Sequence, residues 1–196
     1  MAVDSVSASI SEYLNDVEQV VHSISRADVE AVVESLFECW RRRSTAYIIG
    51  NGGSASTASH MMNDLNKMTS FPGKPRFRAI ALTDNVPLIT AVGNDIEYAS
   101  VFVEQLQNLL TPGDVLIALS GSGNSENVIR AAEYARGLGA LVVGLCGNPG
   151  SRLCAAADKV VTIPARTICQ QEDAHLILNH AIALALREQI ALAKPS

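Results

Sequence analysis

The sequence predicts an α/β sandwich, a parallel sheet with helices packed on its faces. Three observations carry that expectation. Five short apolar runs, at 46–49, 79–82, 115–119, 141–145 and 160–163, are bounded by turn residues. None of them alternates apolar with polar, as fits strands buried on both faces. Helical stretches separate each run from the next, and strand–helix alternation along a chain builds a sheet through right-handed crossovers.

The elements follow in order. Residues 4–23 carry Val6, Ile10, Leu14, Val17 and Val21, close to a helical stripe. Residues 27–42 repeat the pattern with Val29, Val32, Val33, Leu36 and Phe37. Between the strands, helices are expected over 54–67, 86–110 (broken near Gly93-Asn94), 124–137, 150–157 and 170–192. The segment 68–78 holds two prolines and a glycine and reads as a loop rather than a domain boundary. With no linker, low-complexity run or short repeat, the 196 residues read as one domain.

Composition excludes several classes. Apolar residues make up 48%, so the chain is not intrinsically disordered. Only 18% of residues are charged, which points to surface buried in an oligomer. The net charge is −5 and the sole basic run is Arg41-Arg42-Arg43, so a broad nucleic-acid footprint is not expected. No apolar stretch approaches the ~18 residues a membrane span needs. The N-terminus lacks a basic start and an apolar region, so it does not read as a signal peptide. Cys39, Cys146, Cys154 and Cys169 form no C-x-x-C pair and read as reduced thiols of a cytoplasmic protein.

The first strand runs into Gly50-Asn51-Gly52-Gly53-Ser54, with a helix following. Glycines let backbone N–H groups approach a ligand, and the helix N-terminus adds positive potential. A tight strand-to-helix turn would also account for the run, which matches neither a Walker loop nor G-x-G-x-x-G. The third strand runs into Ser120-Gly121-Ser122-Gly123-Asn124-Ser125, again before a helix. A helix cap would explain one such turn. Two of them, at the carboxyl ends of strands in one sheet, point to a phosphate-type ligand.

His60 and Asp64 stand four apart on one helical face, a useful spacing for metal ligands. The last helix carries Glu172, Asp173, His175 and His180. Glu172 and His180 are eight apart, about 80° around the axis and ~12 Å along it, so they serve one site only if both reach inward. His175 points away from His180, and His22 has no motif partner and reads as structural. Asn94 and Asp95 complete the polar candidates.

These motifs together resemble the sugar isomerase (SIS) domain family, and within it the phosphoheptose isomerases. The resemblance rests on GNGGS at Gly50 with Ser59-His60 downstream, VGND at Val92, SGSGNS at Ser120, and HLILNH from His175 to His180, and it spans almost the whole chain. It implies a flavodoxin-like five-stranded parallel sheet, with an α/β core over 44–196 and a helical oligomerisation segment over 1–43. It also implies a homotetramer. By the same resemblance Ser54, Ser120, Ser122 and Ser125 hold the phosphate, and Asn51, Gly52, Gly53, Asn94, Asp95 and Gly121 contact the substrate. The family's acid carries over to His180 and its zinc-binding histidine to His60. Three positions depart from the family. Asp64 stands for its glutamate base, shorter by one C–C bond (~1.5 Å). Glu172 stands for its glutamine, whereas Gln171 would fit only with a one-residue insertion in the helix. Ser120-Gly121-Ser122 replaces Ser-Thr-Ser.

The activity this implies is aldose–ketose isomerisation of sedoheptulose 7-phosphate through a cis-enediol. Asp64 would be the base and His180 the acid, with His60, Asp64, Glu172 and His180 offering ligands to zinc. The alternative is a non-catalytic SIS module that binds a phosphosugar or a protein, of the replication-initiator-associating or regulatory type, in which the phosphate loops persist while the shortened base does not act.

Overall fold

The computed structural model describes residues 2–194, with side chains described from Ser5 onward. Met1, Pro195 and Ser196, the outermost positions of the expected 1–196 domain, lie outside the described residues.

Helices α1 (Ala2–Ser23) and α2 (Arg26–Arg41) precede the first strand. Ser25 separates them by accepting a hydrogen bond from the Asp28 N–H, an N-cap that starts α2. Then follow β1 (Ala46–Ile49), α3 (Gly53–Lys67), β2 (Ala79–Ala81), α4 (Val86–Asp95), α5 (Val103–Leu109), β3 (Val115–Ser120), α6 (Glu126–Leu138), β4 (Leu141–Cys146), α7 (Arg152–Ala156), β5 (Lys159–Thr162) and α8 (Ile168–Leu192). All five strands are parallel, in the order β2-β1-β3-β4-β5.

Successive side chains of the inner strands point to opposite faces and fill two cores. Ile48 and Ile117 pack with Leu36, Met61, Leu65 and Leu186, the layer built by α1, α2, α3 and α8. Ile49, Leu116 and Ala118 pack with Leu82, Leu106, Ile129 and Leu153 on the other side. The three inner strands are thus buried along nearly their whole length, as their unalternating pattern predicts, whereas the edge strands β2 and β5 expose Ile80 and Lys159.

Two boundaries differ from the sequence reading. The 86–110 helix is three pieces: α4 runs through Gly93 and Asn94, the chain turns at Ile96, and a short 3-10 turn (Tyr98–Ser100) leads to α5. Burial of Val101 and Phe102 in the core draws the chain inward there and prevents one continuous helix. The last helix starts earlier than residue 170, because Thr167 and Gln170 form a capping box that begins it at Ile168. The 68–78 loop closes onto the domain. Lys74 donates to the α8 carbonyls of Ala191 at 2.5 Å and to Ala193 at 2.9 Å, and Trp40 Nε1 donates to Pro75 O at 2.9 Å.

Candidate active site

Strand order places the site. The chain leaves β1 toward β2 on one side, while β3 lies on β1's other side. Turns after β1 and β3 therefore diverge and open a crevice at the carboxyl edge, the place where ligands bind in such sheets. The two glycine- and serine-rich turns are those turns.

Both feed helices whose N-cap residue makes no side-chain capping bond, although in α6 the Val128 N–H is accepted by Asn127 Oδ1 at 3.0 Å. The N-cap of α3 is Gly52, at φ +57, where a Cβ would be strained though the space around it is open. The N-cap of α6 is Ser125, and its hydroxyl makes no capping bond. Ser120 and Ser122 instead brace their own loop, accepting from the N–H groups of Gly123 at 3.1 Å and Asn124 at 3.2 Å. Their hydroxyl protons stay available to an acceptor. The turns are therefore not spent on capping, and two helix N-termini offer positive potential and N–H donors to one crevice.

The first residues of α8 lie over both turns. A Cβ at Gly53 would collide with the Glu172 carboxylate, and one at Gly121 with Ile168 and Gln171. A Cβ at Gly147 would strike Gln171 as well. These glycines are small because α8 packs directly on them. The helix is continuous from Ile168 to Leu192, so Glu172, His175 and His180 stand on one unbroken helix.

Farther along α3 and α8, three donors converge. His60 Nε2 and His180 Nε2 stand 3.2 Å apart, and Asp64 Oδ2 lies 3.4 Å and 3.7 Å from them. His60 and His180 side chains are 42% and 48% exposed, whereas that of Asp64 is 7% exposed. Ligands about 2.05 Å from a tetrahedral zinc stand about 3.3 Å from one another. The three separations match that edge, so the donor set fits such an ion. Glu172 is not part of the convergence. Its ~12 Å offset from His180 along α8 leaves its carboxylate at the start of α3 instead.

Asn51 is held in place by a reciprocal amide pair with Asn127, at 2.9 and 2.8 Å, and by Tyr98, whose hydroxyl donates to its Oδ1 at 2.9 Å. Asn94 donates to Asp95 at 2.7 Å on an exposed surface, and no hydrogen bond described for either reaches the two turns. Tyr98, Asn127 and Asn179 are polar neighbours of the site that sequence patterns do not single out, while Gln171, weighed against Glu172 in the sequence, lies against the turn at Gly121. His175 is fully buried, and desolvation pushes its imidazole down to about 4.

A doubly wound α/β domain with paired anion-type turns and a His/Asp/His cluster between α3 and α8 is the class that fold and site define. The sequence profile of the SIS domain matches residues 12–147. Phosphoheptose isomerase of Mycobacterium tuberculosis is 38% identical over 153 residues, 78% of each chain. That of Aneurinibacillus thermoaerophilus is 32% identical over 162 residues, 83% of this chain and 81% of its own. The solved structure of phosphoheptose isomerase from Neisseria gonorrhoeae superposes with a TM-score of 0.86 at 28% identity, covering 96% of this chain and 100% of that one. This chain belongs to the SIS domain family and, within it, to the group of the phosphoheptose isomerases.

Proposed function

We propose that this protein isomerises sedoheptulose 7-phosphate to D-glycero-D-manno-heptose 7-phosphate. The observation that carries the reading is the pairing of two glycine- and serine-rich turns, each opening a helix without an N-cap side-chain bond, with a convergent His60/Asp64/His180 cluster. Six residues of α3 separate Ser54 from His60, an axial rise of about 9 Å. An extended seven-carbon chain, at roughly 1.3 Å per bond plus its phosphoester link, spans a similar length.

The phosphate is held by Ser54, Ser120, Ser122 and Ser125 together with the N–H groups of Gly52, Gly53 and Gly121. Asn51, oriented by Asn127 and Tyr98, meets the sugar hydroxyls, with Asn94 and Asp95 at the rim and Glu172 between phosphate turn and sugar. Asp64 is the base: Oδ1, accepting only from Asn63 at 3.2 Å, removes a proton from C1. With Nε2 facing the metal position, His180 would protonate the C2 oxygen from Nδ1–H, giving the cis-enediol. Asp64 then returns its proton to C2 while His180 takes the C1 hydroxyl proton, leaving the aldehyde.

His60, Asp64 and His180 would hold zinc. Bound there, the ion supplies polarisation of the carbonyl and stabilisation of negative charge on the enediol oxygens. None of the described helices is long and apolar enough to cross a membrane, which accords with a cytoplasmic enzyme of sugar-phosphate metabolism. Exposed Val6, Ile10 and Leu14 on α1 and Ile177 and Leu184 on α8 support a homotetramer built on this helical layer.

Incubating the zinc-loaded protein with sedoheptulose 7-phosphate and assaying for the aldose tests the reading. Binding without any aldose product would replace it with the non-catalytic module.

A further inference from the structure

The Asp64 carboxylate is held from two sides. Asn63, its neighbour on α3, donates to Oδ1 at 3.2 Å. Asn179 reaches across from α8 and donates to Oδ2 at 2.9 Å. Oδ2 is the oxygen that faces the Nε2 atoms of both His60 and His180.

Asn179 is an expensive residue to keep where it is. It is 1% exposed, on the inner side of α8 between the buried Leu178 and Ile182. Its amide oxygen has no hydrogen-bond partner, and neither ring nitrogen of His175, one turn earlier, has one either. A leucine, branched in the same way, would leave no orphaned amide oxygen. What the asparagine provides is the bond to Asp64. Only one amide orientation serves, because the flipped one sets two acceptors against each other.

The neighbouring position explains the rest. Residues 179 and 180 are successive on α8, about 100° apart. One turn of helix therefore delivers the donor to the carboxylate from within and the His180 imidazole to its open side. Asp64 has a short side chain on the facing helix, and without the donor from α8 the carboxylate keeps only the Asn63 bond to Oδ1, which does not hold Oδ2 itself.

We infer that Asn179 is the positioning residue for Asp64, fixing Oδ2 at the distance that lets His60, Asp64 and His180 act as one set. The inference rests on the proposed roles of that set. Outer hydrogen bonds of this kind orient ligating carboxylates and change metal affinity or activity by 10–100-fold when removed.

The test is Asn179→Leu in the full chain, with Asn179→Ser as a second variant that keeps a polar group too short to reach. Zinc affinity, measured by competition with a chromophoric chelator, should fall by about 10–100-fold in both. Turnover of sedoheptulose 7-phosphate should show the loss in kcat, with KM within twofold of the native value. Binding of inorganic phosphate to the metal-free variants should stay within twofold of native, a readout that general damage to the fold would move. Zinc affinity within twofold of native in both variants overturns the inference. So does an equal loss of zinc and phosphate affinity. If the native chain binds zinc but turns over no heptose phosphate, the functional reading falls while the zinc measurement still decides the role of Asn179.

Discussion

Asp64 concentrates the chemistry in the fewest atoms. Replacing it by asparagine keeps the volume and removes the proposed base and the proposed charged ligand. Turnover should drop by roughly 10²–10⁴-fold, the usual worth of a positioned base. Sugar-phosphate affinity, which the proposal assigns to the turns at the other end of α3, should hardly change. His180→Ala should act alike and also loosen the metal. A variant at either position that keeps native turnover would dismiss these roles. His175 carries a different prediction, about stability. Unfolded, its imidazole takes up a proton as the pH falls through about 6.5, but folded only near about 4. Between those values the unfolded chain binds more protons. Stability present above pH ~6.5 is therefore lost as the pH falls toward 4. Urea unfolding at pH 7 and pH 4.5 should show native protein losing about 2–3 kcal/mol more than His175→Leu, from 1.36 kcal/mol per pKa unit. Equal losses would mean that the buried ring does not control acid stability. The sequence placed His60, Asp64 and His180 as candidates by spacing and resemblance. It gave no sign of Asn179, because a single polar residue in an apolar helix face has no periodic signature.

At the level of elements, the two turns and α8 make the crevice. Ser120 and Ser122 brace their loop through their oxygens and retain their protons for a ligand. Ser120→Ala combined with Ser122→Ala should weaken sugar-phosphate binding by at least ~1–2 kcal/mol, for lost hydrogen bonds to a charged group. Calorimetry giving native affinity for the double variant would remove this turn from the site. These turns were legible in the sequence because glycine and serine clusters after apolar runs have a direct backbone meaning. The break after α4 was legible only in kind. Gly93 and Asn94 look like the breaking point, yet both stay helical, and burial of Val101 and Phe102 places the turn later. Glu172 shows the same limit. Its register along α8 follows from counting, but the packing of that helix on Gly53 decides that its carboxylate meets the phosphate turn rather than the imidazoles.

Across the whole molecule, the helical layer of α1 and α8 leaves Val6, Ile10, Leu14, Ile177 and Leu184 exposed. Association through that layer should give a homotetramer, about 83 kDa by light scattering for four chains of 20.8 kDa. A species of about 21 kDa at micromolar concentration would contradict it. Local patterns in the chain suffice for the layered α/β architecture, for the number and direction of its strands, and for the edge of the sheet at which the ligand site is proposed. Those follow from local rules: doubly buried strands are uniformly apolar, crossovers between parallel strands are right-handed, and glycine-rich turns stand at strand ends. Which polar groups meet is settled by packing between distant segments. His60 and His180 are 120 positions apart, and Asn179 is 115 from Asp64. Their convergence depends on how α8 seats against α3 across a shared core, and side-chain packing between distant segments sets that seating.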